Sequence, residues 1–179
     1  IIGSDETGVY VVKRDVKKFN EIILQSFDDN MNLKKSSVVN LVQGDDRIIF
    51  KTAIFLKNQI YILSEFTDRK IKSKFLLIHT VDKNSLKLIG DPKKIAEINF
   101  ENKYRNNIGE FSYQIADNNK IMLIYYDLPY NKGENEKFGF RVFNSDIEEI
   151  WSKNVTLPYK NELFNIENLS ISNKGDVLL

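Results

Sequence analysis

Cysteine is absent from the 179 residues, and histidine and tryptophan occur once each. Without thiols there is no disulfide framework, no thiolate zinc site, no iron–sulfur cluster and no cysteine nucleophile. A single imidazole, His79, leaves a metal centre short of its usual nitrogen ligands, so neither metal nor other cofactor is expected. Charge of one sign is missing too: 26 Lys and Arg face 25 Asp and Glu, a net charge of +1. That balance gives bulk electrostatics no grip on a nucleic acid, and no nucleic-acid partner is expected. No apolar run approaches the roughly 20 residues that cross a bilayer as a helix, so no transmembrane segment is expected here. Glycine-rich phosphate loops, Gly-x-Ser-x-Gly elbows and dinucleotide fingerprints are likewise missing, which removes the common enzyme signatures.

What is present points to strands. Hydrophobic residues make up 42% of the chain, too many for disorder, and 28% is charged. Runs of about 5–8 residues rich in Ile, Val, Phe, Tyr and Leu alternate with Asn, Asp, Lys and Gly clusters, the strand-and-turn pattern. The clearest are Val9–Lys13, Glu21–Phe27, Lys51–Leu56, Gln59–Phe66, Lys74–Val81, Phe111–Ala116, Lys120–Tyr126, Phe138–Phe143 and Ile147–Trp151. In Lys74–Val81 both alternating sets are largely apolar: Phe75, Leu77, His79 and Val81 against Leu76, Ile78 and Thr80. Such a strand is buried on both faces. Pro92–Asn99, opening on a proline, is the best candidate for a turn of helix.

The runs recur in order. A strand, a short polar turn and a second strand open at Ile1–Val12, Thr52–Phe66, Phe111–Tyr126 and Leu169–Leu179. The first apolar residues after those turns are Val9, Ile60, Ile121 and Val177, spaced by 51, 61 and 56. A second recurring piece ends in Asp28-Asp29-Asn30, Asp82-Lys83-Asn84 and Asn144-Ser145-Asp146, where Asp and Asn side chains bond to nearby backbone. A recurring four-strand unit reads as a β-propeller blade. The expectation is an all-β fold, a β-propeller segment of about three four-stranded blades plus a partial blade, with a β-sandwich as the alternative. The approximate units are 1–47, 48–108, 109–164 and 165–179. At this spacing the chain holds fewer units than a ring of roughly four blades needs, so further blades are expected outside it.

Glu149–Tyr159, Phe164-Asn165-Ile166 and Asn173-Lys174-Gly175-Asp176-Val177 resemble the outer-strand-to-next-blade passage of β-propeller repeat proteins. Gly3–Tyr10 and the Asn173–Val177 turn are similar to inner hairpins of NHL-type propellers, and the Lys/Asn/Ile-rich composition resembles envelope propellers of Bacteroidetes-type bacteria. The resemblance carries no catalytic residue across. It implies a non-enzymatic binding or scaffold module for a protein partner, in a bacterial cell envelope or secreted, with the cytoplasm as the alternative compartment. A carbohydrate-active or carbohydrate-binding propeller and an extracytoplasmic sensor domain are the competing functions.

Candidate site residues follow from position. Lys13–Lys18 and Arg69–Lys74 are basic clusters expected in loops between second and third strands, and Tyr130 stands beside Pro129 in the corresponding third loop as the best exposed aromatic. Arg14, Arg69, Arg105 and Tyr130 are the expected partner-binding residues. Asp127 and Glu110 are the acidic candidates for the carbohydrate reading. His79 in mid-strand reads as a sheet histidine. Asp28-Asp29-Asn30-Met31-Asn32 begins like a calcium loop, but Leu33 and Val39 stand where glycine and a bidentate glutamate belong, so it reads as a capped turn. Trp151, Tyr125, Tyr126 and Tyr159 are aromatics available for packing or stacking.

Overall fold

A computed structural model describes residues 1–14, 21–43, 46–101, 108–130, 133–163, 166 and 168–179. Its elements are strands, apart from one 3-10 turn at Asn161–Leu163. β1 (Gly3–Asp5), β2 (Gly8–Arg14), β3 (Glu21–Phe27) and β4 (Leu33–Asn40) form a first sheet in the order β1-β2-β3-β4. A small ribbon of β5 (Val42–Gln43) and β6 (Asp46–Arg47) follows. β7 (Ile49–Leu56), β8 (Gln59–Asp68), β9 (Ser73–Asp82) and β10 (Lys87–Asn99) form the second four-stranded sheet. β11 (Phe111–Ile115), β12 (Ile121–Asp127), β13 (Asn135–Asn144) and β14 (Glu149–Lys160) form the third. β15 (Ser170–Ile171) and β16 (Val177–Leu178) pair as a two-stranded sheet.

Each four-stranded sheet is thus a meander of consecutive strands. The fold is all-β, and three such sheets plus a two-stranded one match the count expected of three blades and a partial blade. Pro92–Asn99 is not helical; it lies in β10. β10 stands at the edge of its sheet, where a proline without an N–H costs no ladder bond. Ala96 and Ile98 alternate inward there with period two.

The four inner hairpins sit where the recurring turns fall. Lys57 and Asn58 form a two-residue turn with φ of 45° and 64°, the left-handed geometry that tight hairpins demand. Asn119 and Gly175 supply a single left-handed residue in the β11–β12 and β15–β16 turns. The turns from third to fourth strand also share one device. Asp28 Oδ1 accepts the amides of Asn30 at 3.0 Å and Asn32 at 2.8 Å. Asp82 Oδ1 accepts the Ser85 amide at 2.6 Å, and Asn144 Oδ1 accepts those of Asp146 and Glu148 at 2.9 Å each. The Asp28 carboxylate is therefore committed to its own turn, as its departure from a calcium-loop pattern implied.

By internal contacts the chain divides into two units, Ile1–Phe66 with Phe75–Ile95 and Thr67–Lys74 with Ala96–Leu179. In the first, Tyr10, Ile22, Leu24 and Val39 of the first sheet pack with Phe55, Ile60, Ile62, Leu77 and Val81 of the second. Gly3 lets the hairpins close up: a Cβ built there would sit 2.5 Å from Phe55. The Tyr10 and Phe55 rings stack at 5.7 Å, and Lys83 bonds Asp5 at 2.5 Å beside them. Burial works to raise the Asp5 carboxyl, but the Lys83 and Thr7 hydrogen bonds outweigh it and hold it below the usual range.

In the second unit Leu123, Phe138, Phe140 and Val142 form the centre of the core, joined by Trp151, Val155, Ile171 and Val177. The Trp151 indole N–H donates to the Gly175 carbonyl at 3.0 Å, tying β14 to the last hairpin. On the other face Tyr126 lies across Gly139, its cross-strand partner, and its hydroxyl donates to Asn154 Oδ1 at 2.8 Å. A Cβ at position 139 would fall 2.2 Å from the Tyr126 ring. Gly139→Ala is therefore expected to cost about 2 kcal/mol, in the range of overpacked cores. Urea unfolding checks it; a change below about 0.5 kcal/mol would show that the ring moves aside freely.

Candidate functional site

The expected binding residues lie at or near the connections from second to third strand. Arg14 ends β2 and is exposed; Arg69 lies in the β8–β9 turn and is exposed; Tyr130 lies between β12 and β13. Arg69 and Tyr130 occupy topologically equivalent connections, whereas Arg14 is a strand residue, the last of β2 and paired with Ile22 of β3, rather than the loop residue expected. Arg105 lies outside the described residues. In the β8–β9 turn Asp68 Oδ1 accepts the Lys70 amide at 2.8 Å and the Ile71 amide at 3.3 Å. That bonding fixes the backbone, with Lys72 in a left-handed conformation, and leaves Ile71 62% exposed at the tip beside Arg69 and Lys70.

Lys13, like Arg14, lies in β2 and not in a loop, and two further expectations about these segments need correction. Lys74 does not belong to the basic loop: it lies in β9, is buried, and donates from Nζ to the Gly109 carbonyl at 3.0 Å. Its ammonium also stands 5.5 Å from the centre of the Phe111 ring. A lysine at the start of a buried strand satisfies its charge that way, which a run of basic letters does not reveal. Tyr130 is half-buried with Leu128 and Pro129, because the Leu128 amide donates to the Lys137 carbonyl at 3.1 Å and lays the segment back on β13. Tyr159 is the more exposed aromatic, at 58%.

An acidic cluster that was not read from the sequence lies at the same end of the third sheet. The Tyr125 hydroxyl donates to Asp127 Oδ1. Burial and then the Asp127 carboxylate push the Tyr125 phenol far above its ordinary value. Burial and then the Asp127 charge raise the Glu136 carboxyl. Asp127 pairs across the ladder with Phe138, two residues from Glu136, so the carboxylates share one face of the sheet. Glu110, the other acidic candidate, meets Asp127 through its backbone carbonyl, at 3.1 Å from the Asp127 amide. Only the pairing register reveals Glu136, because it lies beyond a connection of no fixed length. Among the described residues no group of three or more His, Asp or Glu could hold a metal ion.

His79 is brought to Ser64, with Nε2 and Oγ 2.8 Å apart. Their spacing is that of a base and a nucleophile, yet Ser64 is fully buried and His79 is 4% exposed. No substrate reaches either atom. The pair shares a sheet face with Ile62, Phe66, Leu77 and Val81 and is a satisfied polar contact within the core. Trp151, Tyr125 and Tyr126 are likewise occupied in packing, as their strand positions suggested. No protein-family model matches the chain, and no curated protein matches it.

Burial lowers the His79 imidazole from 6.5 to about 4. The unfolded chain therefore binds a proton more readily than the folded one between those values. Stability from this group is complete above pH 6.5, falls as pH drops from 6.5 towards 4, and falls no further below that. The loss amounts to about 3 kcal/mol at most. His79→Gln, which keeps a hydrogen-bonding group for Ser64 but does not titrate, should flatten the stability-against-pH curve in that interval. Parallel curves for the two proteins by chemical denaturation would refute the assignment.

Proposed function

We propose that this chain is a blade-repeat module of the β-propeller kind, which binds a protein partner through its second-to-third-strand connections and carries out no chemistry itself. The observation that supports this most is the repetition of one design with a variable end. The turns between third and fourth strands are pinned by Asp28, Asp82 and Asn144. At the other ends of the sheets stand exposed Arg14, which closes β2, and exposed Arg69 and half-buried Tyr130 in their connections. Binding residues concentrate on loops held by a rigid scaffold, and arginine and tyrosine are favoured anchors at protein interfaces. The Ser64–His79 pair, which has the spacing of a catalytic couple, is buried within the core.

The test combines Arg14→Ala with Arg69→Ala, with Tyr130→Ala as a separate arm. The arginine double variant should melt within about 2 °C of the parent, as surface changes do. Quantitative capture from an extract of the source cells should then lose a defined set of proteins by at least about tenfold, equal to about 1.4 kcal/mol of binding. Identical capture profiles for parent and both variant arms would reject these residues as partner-binding.

A further inference from the structure

The turn between β8 and β9 holds an apolar side chain out in water on a fixed base. Thr67–Lys74 reads Thr-Asp-Arg-Lys-Ile-Lys-Ser-Lys, with Asp68 as its one acidic residue. The Asp68 carboxylate is turned onto the backbone, where it accepts the Lys70 and Ile71 amides. The leg that leads into β9 is braced against the end of β10. There the Phe100 amide donates to the Lys72 carbonyl at 3.0 Å, and the Ser73 hydroxyl donates to Asn99 Oδ1 at 2.7 Å. Ser73 and Lys74 are buried, so exposure begins sharply at Lys72.

Arg69, Lys70, Ile71 and Lys72 are all exposed. Among the described residues neither Lys70 nor Lys72 has an ion-pair partner. Turns ordinarily take Gly, Pro, Asn, Asp or Ser, and an isoleucine left 62% exposed adds little to a core. The tip is therefore a branched aliphatic side chain with a cation on each side, presented by a backbone that is already ordered.

Charge complementarity calls for an anionic surface, and size decides which kind. A specific protein interface takes about 800 Å² and some 20 residues from each side, far more than a four-residue turn offers. A membrane surface needs no matching shape. It accepts an apolar side chain among its acyl chains and cations among its anionic headgroups. We propose that the β8–β9 tip docks on an anionic phospholipid surface. Ile71 enters between the headgroups, and Lys70 and Lys72 lie level with their phosphates and carboxylates. Lys70, Ile71 and Lys72 are distinct from Arg14, Arg69 and Tyr130, the residues proposed to hold a protein partner, so the two contacts stand or fall separately.

The chain contains no cysteine, so Ile71→Cys takes a single environment-sensitive fluorophore at the tip. The probe is a vesicle of phosphatidylserine and phosphatidylcholine in equal amounts. On mixing, emission from the tip label should rise and move to shorter wavelength. The same label on Lys57→Cys, in the turn at the other end of β8, should not respond. The unlabelled chain should sediment with these vesicles, half-bound at lipid on the order of 1 mM, and not with pure phosphatidylcholine. Lys70→Glu with Lys72→Glu should weaken that binding by at least about 25-fold, from about fivefold for each cation. Ile71→Ser should weaken it by at least about fourfold, the value of one buried methylene. Silence of the tip label would hand the turn to a protein partner and overturn the proposal. Equal sedimentation with both kinds of vesicle, or undiminished binding by the double lysine variant, would overturn it too.

Discussion

A sheet whose central strands are apolar on both faces cannot stand alone in water, and most of this architecture follows from that constraint. β9 buries Leu77 and Val81 on one face and Leu76 and Ile78 on the other. Each buried side chain of that size contributes about 1.5–3 kcal/mol only if its own face is covered. Cover comes from another sheet built on the same plan, as Tyr10, Leu24 and Val39 meet Phe55, Ile60 and Leu77. Close approach is then a requirement, and it selects Gly3 under Phe55, where any side chain would intrude.

The constraint also explains which parts of the fold could be read from the letters. Inner strands such as Gln59–Asp68 and Ile121–Asp127 are covered, so they appear as apolar runs, and their hairpins could be placed by the turn residues between them. The fourth strands are edges with most of their length in solvent. β4 reads Leu-Lys-Lys-Ser-Ser-Val-Val-Asn with one buried residue, Val39, and so carried no strand signal. β14 extends from Glu149 to Lys160, well beyond the short apolar run at its start. β10 carried a proline where a helix could open, and sheet position overrode it.

The candidate site was legible to a smaller degree, for a related reason. A loop residue such as Arg69 is assigned by its place between two strands, which local sequence reveals. Tyr125 and Asp127 are two apart on β12, but the approach of Glu136 to Asp127 and the Ser64–His79 contact arise from cross-strand register, which is fixed by turns and pairing rather than by neighbouring letters. Lys74 illustrates the converse. It sits in a basic run, but the strand begins at Ser73, and one residue of difference turns a loop cation into an interior one bonded to Gly109.

Exposed edges carry their own hazard, since an unpaired strand invites pairing with other chains. Lys34 and Lys35 on β4, Lys93 and Lys94 on β10, and Lys153 and Lys160 on β14 place ammonium groups along the three outer strands. Burying such a row against another protein would mean stripping water from charge, which disfavours addition at those edges. β16 carries Val177 and Leu178 and no cation of its own. The contrast sorts the sheet margins by physical chemistry. The lysine-bearing outer strands resist a further strand, whereas Val177 of β16 lies packed in the apolar cluster with Phe140 and Trp151.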